Sequence, residues 1–185
     1  MTRIVKLAAA LLLLAASVNV AVAQEAASPM EYVQARLVKI FGAGGAKGLH
    51  SYSTGFLFSP EGHIITVWSH VLDPDVVTVV LSDGRKFDGR VVGVEPQLHL
   101  AILKIEGDGL PHFDLQDAAT AAAGQRVWAF GNMYKVATGD EPLSVLQGVI
   151  AAKTRLKARR GAFEVPFDGP VYVVDAMTNN PGAPG

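Results

Sequence analysis

The sequence predicts an all-β protein built on a small closed barrel. Three observations carry this. Runs rich in Val, Ile, Thr and aromatic residues recur about every 8–12 residues, the spacing of a barrel or sandwich. Turn chemistry separates them: Ser59-Pro-Glu-Gly62, Asp73-Pro-Asp75 and Ser82-Asp-Gly-Arg85, the last carrying the Asp-Gly hairpin signal. Finally, 19 Gly and 10 Pro in 185 residues favour frequent turns. Six strands through Ile105 close one antiparallel barrel and so remove its exposed edges.

The first strand is read over Val33–Phe41, after a polar, Ala-rich lead-in over Glu25–Glu31 that is mobile or briefly helical. Gly42–Gly48 lacks the Gly-Lys-Ser/Thr of a phosphate cradle, and no helix signal comes after it, so it is a surface loop. The next two strands form a hairpin over Ser53–Leu72. Phe56, Leu57 and Phe58 lie before its turn and His63–Trp68 after it, and His70 comes at its end. Val76–Leu81 and Lys86–Val94 make the next hairpin. Pro96 breaks the run, and Leu98–Ile105 is the sixth strand. A linker over 107–123, with a helical turn at Ala118–Ala123, leads to a second set of strands: Gly124–Gly131, Ser144–Leu156 and Val171–Val174. Lys153–Arg160, with five Lys or Arg, is read as a solvated loop. His50, His63 and His112 fall in loop or turn contexts and are read as solvated.

The N-terminus reads as a secretory signal. Arg3 and Lys6 precede a largely apolar stretch over Leu7–Val20, and Ala21-Val-Ala23 is a small-residue cleavage site. Cleavage is expected after Ala23, giving a secreted or periplasmic protein with no stable membrane span. Without residues 1–23 the chain keeps 14 basic and 17 acidic residues, net −3. That gives no electrostatic case for nucleic acid binding. There is no cysteine, which excludes disulfides and thiolate zinc sites.

The hairpin ending in Ser69-His70 resembles that of the HtrA/DegP family of trypsin-like serine proteases, where a Ser-Pro-Asp-Gly-type turn leads to a strand ending in Asn-His-Val. Other stretches agree in order. Leu81-Ser-Asp-Gly-Arg85 resembles a family hairpin. Val92-Gly-Val-Glu-Pro-Gln-Leu-His-Leu-Ala-Ile-Leu-Lys-Ile105 resembles the strand in which the family has Asp-Leu-Ala-Val-Leu-Lys-Ile, Gly124–Asn132 resembles Gly-Asp-x-Val-x-Ala-Ile-Gly-Asn, and Gln147-Gly-Val-Ile150 resembles Ser-Gly-Ile-Val. Asp175-Ala and Asn180-Pro-Gly182 resemble the approach to the nucleophile. The resemblance covers about Val38–Gly185. It implies two antiparallel six-stranded Greek-key barrels: barrel one about 33–106, the linker about 107–123, and barrel two from about 124. Against the family pattern barrel two is incomplete at Gly185. The sequence is then a fragment of a longer chain, or a partner completes the barrel. No PDZ domain is present in it.

The resemblance also assigns roles. His70 takes the general-base position, and His99 stands where the family has the orienting Asp. Pro184 falls at the serine position, and Gly182 in the oxyanion-loop region. A neutral His99 accepts a proton bond but does not stabilise an imidazolium as a carboxylate does. Proline has neither a hydroxyl to attack with nor an N–H to donate to an oxyanion. No serine occurs after Ser144, and Thr178, the nearest hydroxyl, precedes the Asn-Pro-Gly turn. The expectation is a pseudoprotease that binds an extended peptide or an unfolded protein segment, with no cofactor and with room for a homo-oligomer. The alternative is an active serine-type endopeptidase in proteolysis and protein quality control. Zinc between His70 and His99 lacks a third ligand, so no metal is expected.

Overall fold

The structure, a computed structural model, describes residues 28–44, 49, 51–158 and 167–176. The signal segment, His50, Thr178, Gly182 and Pro184 lie outside the described residues.

Ser28 opens a short helix, α1 (Pro29–Gln34). Its side chain accepts the Glu31 amide while Glu31 accepts the Ser28 amide, and Pro29 supplies a preset φ at the start. This corrects the reading of Val33 as strand. The first strand begins only at Leu37, because the reciprocal cap fixes the helix a turn further on.

Six strands then close into a barrel: β1 (Leu37–Phe41), β2 (Tyr52–Leu57), β3 (His63–Val67), β4 (Val77–Val80), β5 (Lys86–Glu95) and β6 (Leu100–Ile105). Their order around the barrel is β1-β2-β3-β6-β5-β4, and all neighbours are antiparallel. Alternation fills the interior, as period-two strands require. Val38 and Ile40 from β1, Ile64 from β3, Val77 and Val79 from β4, and Ala101, Leu103 and Ile105 from β6 form one buried cluster. Leu37 and Lys39 point the other way, yet both are buried, because the chain beyond the barrel covers this face. A bulge between Val91 and Gly93 in β5 leaves Val91, Val92 and Val94 exposed.

The linker crosses that covered face. Phe113 packs edge-on against Tyr32 and Phe56, with ring centroids 6.1 and 5.9 Å apart. The Arg36 guanidinium lies over the Tyr32 ring and its Nε donates to the His112 carbonyl. The helical turn expected at Ala118–Ala123 is absent. A 3-10 turn forms instead at Leu115–Asp117, where Asp114 accepts the Gln116 amide.

Among the described residues the second unit is a three-stranded antiparallel sheet: β7 (Arg126–Gly131), β8 (Ser144–Ala158) and β9 (Phe167–Asp175). Its order repeats that of β1-β2-β3. The basic residues Lys153, Arg155 and Lys157 are exposed, but they lie on β8 and not in a loop. Pairing with β9 through Ala158↔Phe167 carries the strand past these three; Arg159 and Arg160 lie outside the described residues.

Polar residues join the units. Asn132, fully buried, donates its side-chain amide to the Ala137 carbonyl and accepts the Ala137 N–H, while its backbone N–H donates to Thr54 Oγ1 of β2. This closed ring holds the intervening turn, in which Tyr134 and Lys135 both have left-handed backbones (φ 55° and 58°), a costly state for non-glycine residues. Lys39 reaches out of β1 to the Gly139 carbonyl at 2.6 Å.

Candidate functional site

His70 is placed by the two residues after it. The chain leaves β3 at Val67 and makes a 3-10 turn at His70–Leu72. Val71 and Leu72 are buried in the barrel core, and the Val71 carbonyl accepts the Ala43 amide at 3.2 Å. A Cβ at Gly42 would run into that same carbonyl, so only glycine lets the end of β1 lie this close under the turn. The imidazole therefore stands on a fixed backbone at the barrel rim, half-buried.

His99 arrives at the same rim from the other side. It closes a turn from Pro96, whose carbonyl accepts the His99 amide, and has φ 55°, a left-handed state that His tolerates better than most residues. The β3–β6 ladder ends at Val67↔Leu100. One further bond, Trp68 N–H to the His99 carbonyl at 2.8 Å, extends it. Thus β3 and β6 bring His99 opposite Trp68, two residues before His70. The expected sixth strand from Leu98 starts at Leu100, since the left-handed residue ends the extended run.

Sequence reasoning missed Ser69. Its Oγ is buried and has no hydrogen-bond partner among the described residues. The hydroxyl adjoining His70 in sequence is thus not bonded to the imidazole. Only the turn geometry reveals this, because a serine before the histidine reads as an ordinary polar residue.

Beneath the rim, between the barrel and the second sheet, is a cavity of about 180 Å³ lined by Leu37, Phe56, Ile65, Val67, Leu100 and Phe130 among others. Leu100 ties it to His99. On the other unit, β9 runs to Asp175 and ends beside Gly148. A Cβ on Gly148 would strike the Asp175 carbonyl, so glycine lets the strand leading to the expected nucleophile turn close against β8.

A second cavity, of about 290 Å³, lies at Lys39 and is lined by Gln34, Ser82, Asp140, Glu141 and Leu143 among others. Burial pushes the Lys39 ammonium below its ordinary pKa, opposed by Glu141, Asp140 and Asp83.

His63 and His112 are not solvated loop residues as expected. His63 opens β3 half-buried, with Nδ1 2.7 Å from Ser59 Oγ. His112 is also half-buried, with Nδ1 2.9 Å from the Leu110 carbonyl. In both cases the turn closes on the ring. Among the described residues no group of three His, Asp or Glu side chains is arranged to hold a metal ion, and no helix is long and apolar enough to cross a membrane.

Three exposed carboxylates have pKa values below the ordinary range. Glu61 is lowered by the Ser59 hydroxyl and Glu141 by the Gly139 and Thr138 amides. Burial raises Asp83, but its bonds to Arg85 outweigh that. A carboxyl whose folded pKa is depressed contributes stability above its unfolded pKa, and that stability is lost as pH falls through the folded value. The thermal midpoint is therefore expected to hold from pH 7 to about 4.5 and to decline below that. Glu141→Gln should decline less steeply over the same range, and an unchanged slope would count against this assignment.

A closed six-stranded barrel, a second sheet repeating its first three strands, and a histidine on the rim turn define a trypsin-like peptidase domain. The chain belongs to that family, whose model, described as a trypsin-like peptidase domain, matches residues 53–185. Within it the chain is HtrA/DegP-like. It is 32% identical over 137 residues to a probable periplasmic serine endoprotease, DegP-like, of Marinomonas sp. (strain MWYL1), covering 73% of this chain and 26% of the relative. A similarly named protein of Chlamydia pneumoniae is 34% identical over 111 residues, 60% of this chain and 22% of that one. The chain thus spans about a quarter of the length of these curated relatives. Among solved structures, Deg5 superimposes with a TM-score of 0.63 at 26% identity, over 84% of this chain and 74% of that one. The serine endoprotease of Yersinia pestis gives 0.56 at 26% identity, over 65% and 42%.

Proposed function

We propose that this chain is an exported HtrA-like domain, residues 24–185 after removal of the signal, that has lost peptidase chemistry and binds an extended or unfolded polypeptide segment. His70 keeps the base position, His99 replaces the orienting acid and Pro184 the nucleophile, with Gly182 in the oxyanion loop. Barrel one takes about 33–106, the linker about 107–123 and a partial barrel two about 124–185.

The binding half of the reading is carried by the cavity between barrel and sheet. Its lining is largely apolar, with Thr54 and Thr66 as its polar members, and its volume of about 180 Å³ is comparable to the roughly 150 Å³ apolar cavity that accepts benzene, so one apolar side chain fits. Leu100 places it next to the rim where His99 stands. A polypeptide lying in the cleft gains affinity from such an anchor. The other reading, an active serine endopeptidase, draws on the names of the relatives.

Fluorescence anisotropy with labelled, unfolded casein tests the proposal. Binding is expected, and Leu100→Gln should weaken it about tenfold while Leu115→Gln on the linker leaves it unchanged. Equal affinity for a folded Leu100→Gln variant would overturn the assignment of this cleft.

A further inference from the structure

Beyond its pairing with β7, the β8–β9 ribbon continues as two strands, touched near its base by the linker, whose Ala121 N–H donates to the Tyr172 hydroxyl at 3.2 Å. The β7–β8 ladder ends at Arg126↔Val149, whereas the β8–β9 ladder goes on from Ala152↔Val173 to Ala158↔Phe167. Seven residues of β8 at roughly 3.3 Å each make an arm a little over 20 Å long. A lone two-stranded ribbon is marginal in water, so the composition of its faces bears on what it is for.

The two faces are cleanly divided. Directly paired residues share a face. One face carries the pairs Lys153↔Tyr172, Arg155↔Pro170 and Lys157↔Asp168. The other carries Ala152↔Val173, Thr154↔Val171, Leu156↔Gly169 and Ala158↔Phe167, with no charge at all. On this second face Leu156 is 44% exposed and Val173 46%. The Phe167 ring lies over Gly169, within 2.7 Å of where a Cβ would be, and so widens the apolar strip beside Leu156. On the charged face Arg155 Nε meets Asp168 at 2.8 Å, and Lys153 Nζ lies 5.2 Å from the centre of the Tyr172 ring. Asp168 is the sole acid among the described residues of the arm past Val173, so the face keeps an excess of positive charge in a chain whose net charge is negative.

We propose that this arm docks the protein on an anionic phospholipid surface. An amphipathic element with Lys and Arg on one side and Leu and Phe on the other lies in the headgroup–acyl boundary, apolar side down, while long cationic side chains reach the phosphates. The arm has that division in strand form. Leu156, Val171, Val173 and Phe167 supply the apolar strip, and Lys153, Arg155 and Lys157 supply the attraction to negative headgroups. A nucleic acid would use the cations but leave the apolar strip in water, so lipid accounts for both faces. The proposal does not depend on the cleft or on the state of the catalytic positions.

Co-sedimentation of the full chain with vesicles tests it. Vesicles of phosphatidylglycerol and phosphatidylcholine in equal parts are compared with pure phosphatidylcholine at 50 and 500 mM NaCl. The apolar N-terminal segment is common to every variant, so differences between variants report the arm. Binding is expected to be stronger to the anionic vesicles than to the neutral ones, and the difference to shrink in high salt. It should fall roughly a hundredfold in K153Q/R155Q/K157Q, given the contribution of each cation near such a surface. In Leu156→Trp, indole emission should shift to the blue on the anionic vesicles, which a remote structural role would not produce. Circular dichroism checks that each variant is folded. Failure to bind, equal binding to neutral vesicles, full binding by the folded triple variant, or salt-sensitive binding to duplex DNA in place of vesicles would each overturn the proposal.

Discussion

Incubated with unstructured casein, the purified protein is expected to leave the substrate intact, at a rate indistinguishable from its His70→Ala variant. A fluorophosphonate probe should label no serine. The expectation rests on the needs of acyl transfer: a nucleophile, a base within reach, an acid that steadies the charged base, and donors for the oxyanion. In the register proposed from the family resemblance, the base is kept while the acid, the nucleophile and one of the two oxyanion donors are lost. Loss of the acid alone costs about four orders of magnitude in serine proteases of this fold, a value measured on chymotrypsin-type enzymes. Loss of the attacking hydroxyl removes the covalent route altogether, and the deficits do not add because they interrupt one mechanism. Ser69 offers no replacement, since its hydroxyl is buried without a partner among the described residues. Casein turnover abolished by His70→Ala would show that the register is wrong and that the imidazole works with another hydroxyl.

The second large effect is on stability. Leu103 is fully buried on β6, in the cluster with Val38, Ile64 and Val79. Leu103→Ala is expected to cost about 2–5 kcal/mol, from lost transfer energy and the cavity left behind. For a chain of this size that lowers Tm by roughly 5–20 °C. Leu156→Ala, on the exposed arm, should stay within about 0.5 kcal/mol. Thermal melts monitored by circular dichroism distinguish the two. Similar shifts for both variants would mean that the barrel is not the cooperative core.

Barrel one was legible because its signals are local. Asp-Gly and Pro-Glu-Gly turns, period-two alternation and β-branched runs all act within ten residues, and the six strands fall close to where these place them. The misses have a different cause. Val33 belongs to a helix because Ser28 and Glu31 cap each other, and a strand-like run of apolar residues conceals that. Lys153, Arg155 and Lys157 read as a loop, yet β9 pairs with all three. Strand pairing is a tertiary fact and overrides charge as a local cue.

The site was legible in part. His70 and His99 came from matched stretches, and the ladder brings their segments to one rim. The orphan hydroxyl of Ser69, the left-handed backbone at His99 and the apolar hollow next to Leu100 were not readable. Each depends on how separate strands meet, and no spacing along the chain encodes that. Lys39 was hidden for the same reason: a lysine alternating with Val38 and Ile40 reads as a solvent-facing residue until another segment folds over it.

That lysine has a further consequence. Its ammonium bonds to a carbonyl 100 residues away in the chain, inside the wall shared by barrel and loop. If the loop around Gly139 peeled away by itself, the cation would lose its closest acceptor and the buried cluster of Leu37, Ala137 and Leu143 beneath the loop would be uncovered to water. Partial opening at that seam is therefore penalised. The two stretches are tied into one cooperative unit, so that backbone amides on either side should lose protection from solvent exchange together and not in sequence.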